Sequence, residues 1–258
     1  MIRMHPLAAA VALAFAAQTA VAAPTGFRNF TPLTTSVATG SLPESAPLQF
    51  GSLNFSQISI ADRTTQLANG QFNSGSWDMI DTNRTGPDAG RYLFTVFETS
   101  QAGIQRFDRQ SGNTVTIWSS PTAAAPLGNA RAFDASRWTP FGTYVTAEES
   151  WGTGSSNGRL VELTNPLEAN GNVVHRNAVA RVSHEGLAFD KNNNLYYVDE
   201  LNGGSIYRYS SATPGNGATY FDGGVNSVLH VGDGSTANAT GSFSWVAFTD
   251  TTGAGLAG

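Results

Sequence analysis

The chain has 258 residues, 28 of them glycine and 13% of them charged, with a formal net charge of −5 and one lysine, Lys191, against thirteen arginines. It has no cysteine, which excludes disulfides, thiol nucleophiles and thiolate metal sites. The acidic balance and the absence of any basic cluster argue against nucleic acid and anionic membrane surfaces as partners.

The chain opens with the pattern of an export signal. Arg3 supplies the positive charge, an apolar run covers residues 7–17, and Ala20, Val21 and Ala22 form a small-x-small cleavage site. Residues 1–22 therefore read as a signal peptide, and no later stretch approaches the roughly 20 apolar residues of a membrane span. The expected location is secreted or periplasmic, with no membrane contact after cleavage. Residues 23–75 are rich in Ser, Thr, Pro and Gly. They read as a leader or first partial blade, with one strand pair around residues 50–60, where Leu53, Phe55 and Ile60 alternate loosely.

Residues 76–211 carry a repeat. Three segments, 91–107, 142–163 and 181–209, share one strand-turn-strand grammar. The acid that closes the middle strand falls at Glu98, Glu149 and Glu200, so that successive copies lie 51 residues apart. Each copy is preceded or opened by an apolar strand ending in aspartate, at Asp81, Asp134 and Asp190, and each aspartate is expected to bond backbone amides in the turn that follows. Residues 212–258 return to Gly, Ser, Thr and Asn, with strands expected at 228–231 and 244–248 as a partial fourth copy.

A repeat of about 50 residues built from several short strands is the mark of an all-β β-propeller. Equivalent strands line the channel of such a fold, so Glu98, Glu149 and Glu200 are expected to converge on it. Two carboxylates ~4 Å apart repel by ~4 kcal/mol at an effective dielectric of 20. Such a ring protonates, stays apart, or binds cations. Propellers close with about 4–8 blades, and three copies with a partial fourth do not close a ring comfortably: residues 76–258 read either as an open arc or, the favoured reading, as a propeller truncated at its C-terminal end.

Several other patterns carry less. Asp190, Asn192 and Asn194 imitate the first half of a calcium loop, but Leu195 stands where glycine is required and Leu201 at the twelfth position. They read as a β-turn. Asn29, Asn54, Asn83 and Asn238 lie in glycosylation-like triplets common in so Asn- and Thr-rich a chain. The glycine-rich residues 152–158 lack the lysine of a phosphate cradle and read as a long turn at the channel mouth. His175 and His230 receive no role.

Residues 139–149, TPFGTYVTAEE, resemble the TPWGTWLTCEE-type motif of the PhoX-like alkaline phosphatases, secreted calcium-dependent phosphatases with a six-bladed propeller. Residues 181–186, RVSHEG, are similar to the same family's FSHEG/A motif, and Tyr196, Tyr197, Val198, Asp199 and Glu200 follow at a family-like distance. The resemblance covers residues 76–211. It implies a channel-mouth centre of calcium and iron acting on a small-molecule phosphate ester, with ligands from Glu148 or Glu149, Glu185, and Asp199 or Glu200; the repeat adds Glu98. Glu185 and His184 are the implied catalytic pair, His184 as acid or base or as the group that orients Glu185. The sequence departs from the motif at Ala147, where the family has an iron-binding cysteine, so the resemblance carries calcium, an oxygen-only cation, further than iron. Three readings stand open: a metal-dependent phosphatase, a non-catalytic calcium-binding propeller module, and a calcium-dependent sugar-lactone hydrolase. Oligomeric state is not legible.

Overall fold

The structure, a computed structural model, describes residues 31–51, 55–152, 155–234 and 239–256. Residues 1–22, read above as a signal peptide, and Leu53, Asn29, Asn54 and Asn238 lie outside the described residues. The chain divides into two compact units, Met1–Ser59 and Ile60–Gly258.

In the first unit the described residues form neither helix nor strand. Among the described residues the strand pair expected around 50–60 does not form. A side chain takes the place of a ladder there: Gln57 Oε1 accepts from the Leu48 amide at 3.0 Å and its Nε2 donates to the Leu48 carbonyl.

The second unit begins with a short helix, α1 (Arg63–Ala68), capped by Asp62, whose carboxylate accepts from the Thr65 amide at 2.7 Å. Thirteen strands follow among the described residues. β1 (Trp77–Thr82), β2 (Tyr92–Phe97), β3 (Gly103–Asp108) and β4 (Thr114–Ser119) form one antiparallel sheet in chain order. β5 (Phe133–Trp138), β6 (Tyr144–Glu148), β7 (Leu160–Leu163) and β8 (Val173–His175) form the second. β9 (His184–Phe189), β10 (Leu195–Asp199), β11 (Ile206–Ser211), β12 (Gly224–Val231) and β13 (Phe243–Ala247) form the third. The first strands of the sheets, β1, β5 and β9, lie beside one another, so the sheets radiate from their inner edges as propeller blades do. The tail strands do not open a fourth blade: β12 and β13 pair onto β11 and widen the third sheet.

The blades hold together because their middle strands are apolar on both sides. In β6, Tyr144 faces the first sheet, where its ring stacks 5.0 Å from Phe94. Its neighbours Val145 and Ala147 face the third, in one core with Leu187, Leu195 and Tyr197. Period-2 alternation normally marks one wet face. Here both faces are dry, because a blade covers each.

The inner edge of each blade carries the same irregularity. Trp77 pairs with Phe97 but Ile80 with Thr95; Phe133 pairs with Glu148 but Ser136 with Thr146; His184 pairs with Asp199 and Leu187 with Tyr197. Three steps on the inner strand thus match two on its partner, which is a β-bulge, a device that re-aims a side chain. The residue just inside each bulge is Asp78, Asp134 or Glu185. This registration corrects the repeat: Asp134 is the counterpart of Asp78 and Glu185, not of Asp81 and Asp190. Those two do bind backbone, Asp81 accepting from the Trp138 amide at 2.8 Å and Asp190 from the amides of Asn192 and Asn194 at 2.8 and 2.9 Å.

Candidate metal centre

One residue past the partner strand, each blade places a second acid. The amides of Glu98, Glu149 and Glu200 donate to the carbonyls of Ser76, Ala132 and Ser183 at 2.9, 2.7 and 2.8 Å. These equivalent bonds fix the three glutamates at the same corner of successive blades. Every blade therefore contributes a bulge acid and a strand-end acid to the same end of the inner edges.

The six carboxylates meet. Oxygens of Asp134, Glu185 and Glu200 lie within 4.8 Å of one another. The carboxyl groups of Glu98 and Glu200 each lie beside that of Glu149, and that of Asp134 lies beside those of Glu185 and Asp78. Glu98 and Glu200 are each pushed up to about 7, first by the neighbouring Glu149 carboxyl and then by burial and the surrounding negative charge. Asp134 is pushed up to about 10, first by burial and then by Glu185 and Asp78. Asp134 is buried, whereas Glu185 and Glu200 face solvent. The floor of the cluster is dry and its mouth open.

The structure separates the other expected residues from this cluster. Glu148 is fully buried on the opposite face of β6. Its Oε1 accepts from Arg159 Nη2 at 2.6 Å, and its Oε2 from Arg159 Nε and amide at 2.7 and 3.0 Å. Its oxygens are consumed by an ion pair, and it stays out of the centre because strand alternation turns it away from Glu149. Asp199 occupies the equivalent place in the third blade and accepts from the amides of Ser183 and Leu201 at 3.1 and 3.2 Å. His184 is buried 5.3 Å from the Tyr197 ring. Burial pushes its imidazole down to about 4, so it stays neutral in the core while its neighbour Glu185 points out. Asp78 and Asp134 are the site residues that the sequence reading passed over. Their signal was a ring followed by an acid at the start of every blade: Trp77-Asp78, Phe133-Asp134, His184-Glu185.

The donor set is all carboxylate oxygen, which suits a hard cation such as calcium, a metal that takes about 6–8 oxygens. It does not suit iron held by thiolate. Ala147, at the position of the family's cysteine, is fully buried among Val145 and Leu160, and the chain has no cysteine elsewhere.

Fold and site together define a class: an all-β, propeller-type chain of three blades with convergent acid pairs at one end of its inner strands. No protein-family model and no curated protein matches the chain. Among solved structures it is similar to Pseudomonas fluorescens PhoX in complex with vanadate, a transition state analogue, at 16% identity and a TM-score of 0.45, over 67% of this chain and 49% of that one. The chain thus spans about half the length of that structure.

Proposed function

We propose that the six acids form a divalent-cation centre, with calcium as the metal, and that the chain acts there on small-molecule phosphate monoesters. The observation that supports this reading is the recurrence of one acid pair, in one backbone setting, in all three blades. Random acidic patches do not repeat their bulge and their closing hydrogen bond. Six carboxylates without a cation must share protons or repel, and a hard cation relieves both.

Asp134, Glu185 and Glu200 would hold the metal, with Glu149 bridging the outer row to Glu98. Bound there, a hard cation supplies charge stabilisation to a phosphoryl oxygen. The chain's own part is to keep the floor dry at Asp134 and to leave Glu185 and Glu200 accessible at the mouth. Protons held by Glu98 and Glu200, both raised to about 7, leave as metal enters, so affinity rises with pH. His184 has no part in the chemistry, since it is neutral and enclosed. The resemblance of residues 139–149 and 181–186 to the PhoX-like phosphatases supports phosphate monoesters as the substrate class. The signal-like residues 1–22 support an exported location, and no helix among the described residues is long and apolar enough to cross a membrane.

Ala147 favours a second reading, in which calcium only stabilises the blades of a binding module. Metal content and phosphomonoesterase activity of the purified chain, with and without added calcium, separate the two. Stoichiometric calcium with turnover that is lost in Glu185→Gln supports the hydrolase. Calcium that raises the melting temperature without turnover supports the module, and no bound metal sinks both.

A further inference from the structure

Trp151 stands apart from the other tryptophans of the chain. Its side chain is 52% exposed, whereas Trp77, Trp118, Trp138 and Trp245 are buried or half-buried. A single exposed apolar side chain is ordinary on a protein surface; what singles this one out is its contact with an acid of the cluster. Its edge is fixed, because Nε1 donates to Oε1 of Glu149, the strand-end acid of the second blade.

The described residues that flank positions 153–154 in the turn that carries Trp151 are stapled by side chains. The Ser150 amide donates to Ser183 Oγ at 3.0 Å, and Ser150 Oγ to Ser155 Oγ at 2.7 Å. The Asn157 side-chain oxygen, with its amide turned toward its donors, accepts from Arg131 Nε and Nη2 at 2.7 and 2.8 Å. Arg181 donates to the Ser156 carbonyl. Gly158 closes the turn at φ +75, where an added Cβ would meet the Val182 carbonyl oxygen at 2.6 Å. The indole is thus held at the mouth of the acid cluster with about half of its surface free.

We propose that Trp151 is the specificity-determining residue of this site. It positions Glu149 through its N–H and offers its ring as a stacking wall, so that the preferred substrates are phosphate monoesters whose alcohol carries a planar ring, aryl or nucleoside, over those of small aliphatic alcohols. The inference rests on the cation-centre reading above. A ring stacked on indole adds an offset π contact that an aliphatic group cannot make.

Two substitutions divide the two roles. Trp151→Phe keeps a ring and removes the N–H; Trp151→Ala removes both. On the calcium-loaded chain, Trp151→Ala raises KM for phenyl phosphate by about tenfold, the size expected of one lost stack, and leaves KM for glycerol phosphate within about twofold. Trp151→Phe keeps the preference for phenyl phosphate and weakens calcium binding severalfold, because Glu149 loses the donor that positions it. Equal effects on both esters, or none, overturn the proposal. Binding of phenylphosphonate and methylphosphonate to the calcium-loaded chain, read by tryptophan fluorescence, decides the matter where turnover is absent. Tighter phenylphosphonate binding that Trp151→Ala abolishes supports the stacking wall. Calcium binding with no such difference overturns the wall and leaves the cation centre standing, whereas failure to bind calcium overturns both.

Discussion

Glu148 and Glu149 are adjacent acids with opposite fates, and the period of a strand decides between them. Successive side chains point to opposite faces, so Glu148 turns into the inter-blade core to meet Arg159 while Glu149 leaves the strand toward the cluster. A fully buried carboxylate survives only with its charge matched, and removing the partner of such a pair costs about 3–5 kcal/mol. Arg159→Ala is therefore expected to lower unfolding free energy in urea by about that amount, with calcium binding by the folded fraction unchanged. A calcium affinity that fell in step with stability would mean that Glu148 serves the metal after all. His184 follows the same alternation, since its ring goes to the core and the carboxylate of Glu185 goes out.

At the scale of the element, the bulge does the positioning. Ser76 and Ala132, each just before a bulge strand, have φ of 38° and 46°, a region that costs a residue with a Cβ about 1–2 kcal/mol. The carbonyls of these same residues accept from the amides of Glu98 and Glu149, so the strained turn and the placement of the strand-end acid are one arrangement. Ala132→Gly relieves the strain but loosens the unfolded chain, and the net expectation is a gain of about 0.5–1 kcal/mol, read in thermal or urea unfolding. A loss of stability would show that the Ala132 methyl packs more than the backbone strains. The bulge also marks the limit of what the sequence could tell. The 51-residue spacing of Glu98, Glu149 and Glu200 exposed the blades and half of the cluster, because spacing is carried by the chain itself. Asp78 and Asp134 stayed hidden because a bulge inserts a residue without a mark of its own in the polarity pattern. Counting from the ends of apolar runs then aligned Asp134 with the turn aspartates Asp81 and Asp190. Glu148 was misplaced for the complementary reason: its partner Arg159 lies one strand away, and no local pattern announces a buried ion pair.

For the molecule as a whole, the acid cluster sets how stability responds to pH. Glu98 and Glu200, raised to about 7, and Asp134, raised to about 10, hold protons in the folded chain that the unfolded chain has already released. The folded state binds more protons, so stability falls as pH rises through this range. His184, lowered to about 4, works in the other direction. Its contribution is lost as pH falls from about 6.5 toward 4, and it is silent above pH 7. In chelator the melting temperature is therefore expected to fall as pH rises, the Glu98 and Glu200 share being lost by about pH 7 and the Asp134 share by about pH 10, and saturating calcium should flatten that slope. A slope that calcium leaves untouched would place the titrating groups outside the cation centre.

Calcium titration by calorimetry, on the chelator-stripped chain at pH 7.5 in two buffers of different ionisation enthalpy, tests the centre most directly. Saturable binding is predicted, with an apparent enthalpy that differs between the buffers because the bound protons are released, and both features should disappear when Asp134→Asn and Glu185→Gln are combined. Heats no larger than dilution, or binding that survives the double substitution unchanged, would contradict a centre built from the paired acids of three blades.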